Sequence, residues 1–127
     1  MKPFIPREWI RMRKQPDPTA ILDHVDQFGT AVFTDGKCVY APYSPGEVCW
    51  VREKLYRDMY WAMYEDRTPA LNSAGIQIRW EWKKREILPA AFMPKEAARR
   101  HVRILSCVPE QRGEWGWRIE WEESNAL

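Results

Sequence analysis

Arg52 and Glu53 stand side by side at the end of the apolar run VCWVRE (48–53), directly after the turn SPGE. A guanidinium beside a carboxylate at a strand end is the minimum equipment for acid–base work on a substrate held over a sheet. Two points argue against that use. Successive side chains of a strand point to opposite faces, so these two do not line one cleft unless a bulge intervenes. A hydrolase also needs a base or nucleophile with an orienting partner, and Ser44, Ser73, Ser106 and Ser124 occur in no nucleophile-elbow context. The expectation is an ordinary strand-end ion pair that holds a wall, in a protein that catalyses nothing.

Metal and thiol chemistry have equally thin support. His24 in LDHVD has Asp23 and Asp26 beside it, and His101 is the other imidazole of the chain, yet no ligand spacing links the two. His24 therefore reads as a solvated turn residue, His101 as a surface residue in a basic run, and no metal or cofactor is expected. Cys38, Cys49 and Cys107 are odd in number, lack C-x-x-C spacing and fall inside apparent strands. They read as small reduced core residues, which points to the cytoplasm.

Cations are the more promising groups. Lys83, Lys84 and Arg85 in KKRE and Arg99, Arg100 and Arg103 in RRHVR flank the loop around Met93-Pro94, so both clusters are expected at one rim. Residues 1–14 add Lys2, Arg7, Arg11, Arg13 and Lys14 against Glu8 alone, whereas residues 110–123 hold five glutamates against Arg112 and Arg118. The candidate binding residues are thus Lys83, Lys84, Arg85, Arg99, Arg100, Arg103, Arg11 and Arg13. Their chemistry would be phosphate contact, with Trp80 or Trp82 stacking a base if one side of their strand is uncovered. A solvated mixture of charges explains them as well, and a net charge of +2 is modest for a dedicated nucleic-acid binder.

The elements that must carry these groups are mostly strands. With 127 residues, 45% hydrophobic and 30% charged, the chain has the balance of one folded globular domain. Eight tryptophans and five tyrosines favour strands and a sticky face. No apolar run approaches the roughly 20 residues of a membrane span, and MKPFIPREWIRMRK places prolines and charges where a signal peptide needs an apolar stretch.

QPDPTA (15–20) is a turn, and TAILDHVDQFG suits a short irregular or helical stretch. Asp35-Gly36 between two apolar runs signals a hairpin. The alternation of Ile76, Ile78, Trp80 and Trp82 with polar residues, and of Trp115, Trp117, Ile119 and Trp121, predicts two half-wet strands. LYRDMYWAMYED is read as a single strand. LPAAFMPKEAARR gives a loop and one or two helical turns with Pro94 at the first helical position. The predicted strands are 30–33, 37–40, 48–53, 76–83, 101–108 and 115–121, forming a small barrel or strongly curled sheet.

Three segments in this order, YSPGEVCWVRE, FMPKEAARRHVRILSCVPE and WGWRIEWEE, resemble the phage and prophage branch of the ASCH domain, within the PUA-like superfamily. Met93–Arg99 is the most specific of these, and KQPDP (14–18) is similar to the linker after that family's first helix. The resemblance implies a mainly β (α+β) fold: a small PUA-like curled β-barrel with one or two short helices, residues 1–127 forming one truncated ASCH-like domain. In the family the cleft is associated with RNA or modified nucleosides, and its activities include ribonuclease and nucleoside amidohydrolase. Here KPFIPREWIRMRK replaces the opening strand, helix and lysine motif, and PEQRGEWG replaces an acidic helical insertion after Val108.

The expectation that follows is a non-catalytic phage-type binding protein. It would inhibit a host nucleic-acid-handling defence complex, of the anti-CRISPR or anti-restriction type, through a host protein or ribonucleoprotein partner. A homodimer is compatible with barrel surface left uncovered. The alternative is a single-stranded RNA- or DNA-binding module, or a vestigial ribonuclease or amidohydrolase using Arg52 and Glu53.

Overall fold

The computed structural model describes residues 1–125. Its strands are β1 (Lys2–Phe4), β2 (Trp9–Arg11), β3 (Leu22–Val25), β4 (Ala31–Phe33), β5 (Cys38–Val39), β6 (Val48–Val51), β7 (Leu55–Asp58), β8 (Trp61–Met63), β9 (Ile87–Leu88), β10 (His101–Arg112) and β11 (Glu114–Glu123). Two single-turn 3-10 helices, Ala90–Phe92 and Lys95–Ala97, interrupt them. The strands form three sheets of five, three and three strands, none closed on itself. The fold is mainly β as expected, but the expected barrel is not formed. No helix among the described residues is long and apolar enough to cross a membrane.

The chain divides into two compact units. The first comprises Met1–Pro6, Val48–Val102 and the stretch from Glu123. In it β1 runs parallel to β6, with Phe4 opposite Val51, and the Arg52 N–H continues the ladder to the Phe4 carbonyl at 2.9 Å. β7 pairs antiparallel with β8 on one side and β9 on the other. Trp50, Leu55, Ala62, Tyr64, Ala70, Ile78, Trp80, Leu88, Met93 and Ala97 pack into one buried cluster. Trp50, expected in the core, is 5% exposed.

The second unit comprises Arg7–Glu47 and Arg103–Glu122. β10 and β11 form a long hairpin, and β2 lies along β11 with Arg11 opposite Gly116. Gly116 admits that neighbour because it has no side chain: a Cβ there would lie inside the Trp9 ring and against the Ile10 carbonyl oxygen. The Trp9 indole N–H donates to the Glu110 carbonyl at 3.0 Å. The predicted Asp35-Gly36 hairpin joins β4 to β5, with Gly36 at φ +85°, a backbone region open to glycine at little cost. Met12, Phe33, Ile104, Trp117 and Ile119 are buried in this unit.

Several expectations require correction. Residues 55–66 are not one strand but contain the hairpin β7–β8, whose turn at Met59-Tyr60 carries none of the usual glycine, asparagine or proline signals. Residues 76–83 form no strand: Gln77 and Arg79 make isolated bridges to Leu71 and Trp61. The Ile78 N–H donates to Ala70 and the Trp80 N–H to Tyr60, so no one partner strand runs alongside. The Trp80 indole N–H then bonds the carbonyls of Trp82 and Arg85, at 2.9 and 2.8 Å, which winds 82–85 into a turn. Ile78 and Trp80 are nevertheless buried.

The stretch expected to be irregular or helical at 19–29 contains β3, with a bulge between Leu22 and His24. β6 ends at Val51, two residues early, and Pro94 precedes its 3-10 turn rather than sitting within it. β10 outruns its predicted range at its C-terminal end and β11 at both ends.

Candidate functional site

Three loop segments of the first unit bring charged groups together. Glu53 follows β6, where the chain turns out of the sheet and the Glu53 N–H meets the Met93 Sδ at 3.2 Å. Asp66 lies in the tight turn after β8. There its Oδ1 accepts the Thr68 N–H (3.1 Å) and the Thr68 hydroxyl (2.6 Å), and Arg67 adopts φ +66°. Arg99 follows the 3-10 turn Lys95–Ala97.

The Arg99 guanidinium holds Glu53 by two parallel bonds, Nη2 to Oε1 at 2.9 Å and Nε to Oε2 at 3.0 Å. Its Nη1 donates to Asp66 Oδ2 at 2.9 Å and to Thr68 Oγ1 at 3.0 Å. The flat face of the same group covers the Tyr64 ring. Such a fork suits arginine alone among the basic residues.

The electrostatics follow from these contacts. The Thr68 hydroxyl and N–H, and then Arg99, hold the Asp66 carboxyl down at about 2. Arg99 is pushed further up by its bonds to Glu53, against a smaller opposing effect of burial. Burial raises the Tyr64 phenol, with the Arg99 charge pulling the other way. Asp66 is thus ionised at any neutral pH, and both carboxylates face a fixed cation. The arrangement is a clamp that ties three segments together.

No protein-family model, curated protein or solved structure matches the chain. The likeness to the ASCH domain accordingly stands on its sequence segments.

The expected site residues have varied surroundings. Arg99 is the centre of the clamp. Arg100 pairs with Glu123, and its carbonyl accepts the Val51 N–H at 2.9 Å. Lys83 and Lys84 are exposed on the turn after Trp82 and make no ion pair among the described residues. Arg85 ends that turn with its guanidinium 5.6 Å from the centre of the Phe92 ring. No hydrogen bond or ion pair among the described residues links the 83–85 turn to Arg99 or Arg100. Arg103, exposed on β10, belongs to the second unit with Arg11 and Arg13. Arg11 is bonded to Glu114 at 2.6 Å, whereas Arg13 has no ion pair among the described residues.

The Arg52–Glu53 ion pair is not formed. Glu53 turns to Arg99, and the Arg52 guanidinium lies 5.1 Å from the centre of the Trp50 ring. Trp80 is not open to a base: it is 9% exposed, with Trp82 packed edge-on against it at 4.8 Å. Cys49 and Cys107 are buried as expected, but Cys38 is exposed, because it falls on the outward face of the two-residue strand β5. His24 lies in β3 rather than a turn, its Nδ1 2.8 Å from Asp23 Oδ2.

Sequence reasoning passed over a second feature of the first unit. Met59 and Tyr60, at the tip of the β7–β8 hairpin, are 71% and 62% exposed, and Met59 adopts φ +54°. That conformation costs a side chain with a Cβ about 1–2 kcal/mol. Next to the tip the Arg79 guanidinium lies 5.9 Å from the centre of the Trp61 ring. The available signal was the run DMYW itself, three large apolar residues at a reversal.

Proposed function

We propose that the chain is a non-catalytic protein-binding module. The observation that carries this reading is the β7–β8 tip. Two-residue hairpin turns favour glycine or asparagine at positive φ; this one holds Met59 there and projects Met59 and Tyr60 into solvent. Backbone strain at a display point is a mark of a functional surface. Tyr60, Trp61 and Arg79 are also the residue types that dominate interface hot spots. The clamp supports the non-catalytic half of the proposal, since Glu53 and Asp66 are engaged by Arg99. The partner class follows from the sequence resemblance: a host nucleic-acid-handling defence complex, which the module would inhibit.

The test is capture from a bacterial host lysate with and without nuclease, comparing the parent with Tyr60→Ala. Nuclease-resistant, stoichiometric capture that Tyr60→Ala abolishes supports the proposal. Capture that Tyr60→Ala leaves unchanged would remove the tip from it. A parallel incubation with acylated and unmodified nucleosides and single-stranded RNA tests the other half: turnover lost in Arg52→Ala/Glu53→Gln would overturn the non-catalytic reading.

A further inference from the structure

The second unit carries a groove of about 460 Å³ along β2 and the segment after β5. That size lies within the roughly 300–1,000 Å³ typical of small-ligand sites. Its floor is apolar, built from Met12, Val39 and Trp117, each at most 8% exposed. Its rim carries Arg11, Arg13 and Lys14. No aspartate or glutamate lines it.

Arg13 and Lys14 are exposed and make no ion pair among the described residues, whereas Arg11 is tied to Glu114. Tyr40 lines the same groove, is 79% exposed, and its hydroxyl has no hydrogen bond among the described residues. Tyr43 and Pro42 line it as well. A groove lined by a bare aromatic ring, by cations without an ion pair among the described residues and by an apolar floor offers the parts of a stacking platform and an anion site.

We propose that this groove binds single-stranded nucleic acid, one base stacking on Tyr40 while Arg13 and Lys14 contact the adjacent phosphates. Charge complementarity requires an anionic ligand, and the bare ring selects one with a flat face. A duplex hides its base faces, so the strand must be single. An acidic peptide would satisfy the cations but has no use for Tyr40. The site lies outside the β7–β8 tip and does not rest on the protein-binding proposal.

Cys38 makes the site directly observable. It lines the groove and is the one exposed thiol among the described residues. The experiment titrates the intact protein into a fluorescein-labelled oligo(dT) ten-mer and follows anisotropy from 50 to 300 mM salt. Maleimide labelling of Cys38 is timed with and without the oligonucleotide.

The expected results are protection of Cys38, about tenfold weaker binding by Tyr40→Ala, and loss of about 1.4 from the log–log salt slope in Arg13→Ala/Lys14→Ala. A poly-glutamate control that binds as tightly as the oligonucleotide, with Tyr40→Ala having no effect, would overturn the proposal in favour of an acidic peptide. Absence of binding at 50 mM salt, or binding that leaves Cys38 unprotected, would overturn it outright. Tyr40→Phe, which keeps the ring, retains binding if stacking is the contact.

Discussion

The guanidinium carbon of Arg99 lies 3.8 Å from the centre of the Tyr64 ring, while the Tyr64 hydroxyl reaches past it to the carbonyl of Ala97 at 2.5 Å. Ring and cation therefore fix each other, and each is also tied to a different loop. Replacing Arg99 by Ala removes the stacking and leaves Glu53 and Asp66 without their cation. Loss of charge-assisted bonds of this kind costs about 2 kcal/mol. Arg99→Lys should recover little of it, since an ammonium cannot serve Glu53 through two parallel bonds and cover a ring. Urea denaturation of the three proteins decides this; a lysine variant as stable as the parent would refute the fork.

Acid should attack the same clamp. The Asp66 carboxyl titrates at about 2 when folded, below its ordinary value of 3.8. A depressed folded pKa gives stability that is fully present above the ordinary value and is lost as pH falls through the folded one. The window is therefore about pH 4 down to pH 2. Asp66→Asn is expected to flatten melting temperature against pH within that window and nowhere above it. Asp17 and Asp35, also lowered by hydrogen bonds, leave a residual slope in the variant.

Trp50 is expected to contribute heavily to the first unit. It is 5% exposed within the buried cluster, and truncation of such an aromatic costs about 3–5 kcal/mol. Chemical denaturation of Trp50→Ala measures it. A midpoint barely shifted would contradict the packing described.

Gly116 and Trp9 should show strong coupling. Adding a methyl at 116 drives it into the Trp9 ring, and overpacking of this kind costs about 1–3 kcal/mol. Trp9→Ala vacates that space, so the double variant should be more stable than the two single losses predict by addition. A strictly additive cycle would place the clash on the Ile10 carbonyl instead.

Met59→Gly offers a stability gain at the expense of binding. Relief of the positive φ is expected to raise stability by about 0.5–1 kcal/mol, while the projecting side chain is lost. A variant that is both less stable and an equally good binder would remove strain from the account of the tip.

The legible part of the fold was the part with local signals. Gly36 at a positive φ and the alternation around Trp117 and Ile119 announce β4–β5 and β11 directly. The β7–β8 reversal was hidden because Met59 occupies a position where glycine would have declared the turn. Within 76–83 the alternation holds for buried Ile78 and Trp80 but fails at Ile76, which is 62% exposed; periodicity reports faces and not hydrogen-bond partners. The clamp was illegible for a different reason. Arg99 and Glu53 are 46 residues apart, so the nearer Arg52 looked like the partner. Arg99 was picked out for its charge, which the fold then spends on two carboxylates. Cys38 illustrates the limit of a two-residue strand, where one step of register decides between core and solvent.

Neither unit is contiguous in sequence: one needs Met1–Pro6 with Val48–Val102, the other Arg7–Glu47 with Arg103–Glu122. A ribosome adding about 5–20 residues per second therefore releases β2, β3, β4 and β5 well before β10 and β11 exist to receive β2. The opening strand waits likewise for β6, some 45 positions later. Maturation of this protein should consequently be slow and largely post-translational, with nascent β2 dependent on chaperones to keep its edge from foreign strands.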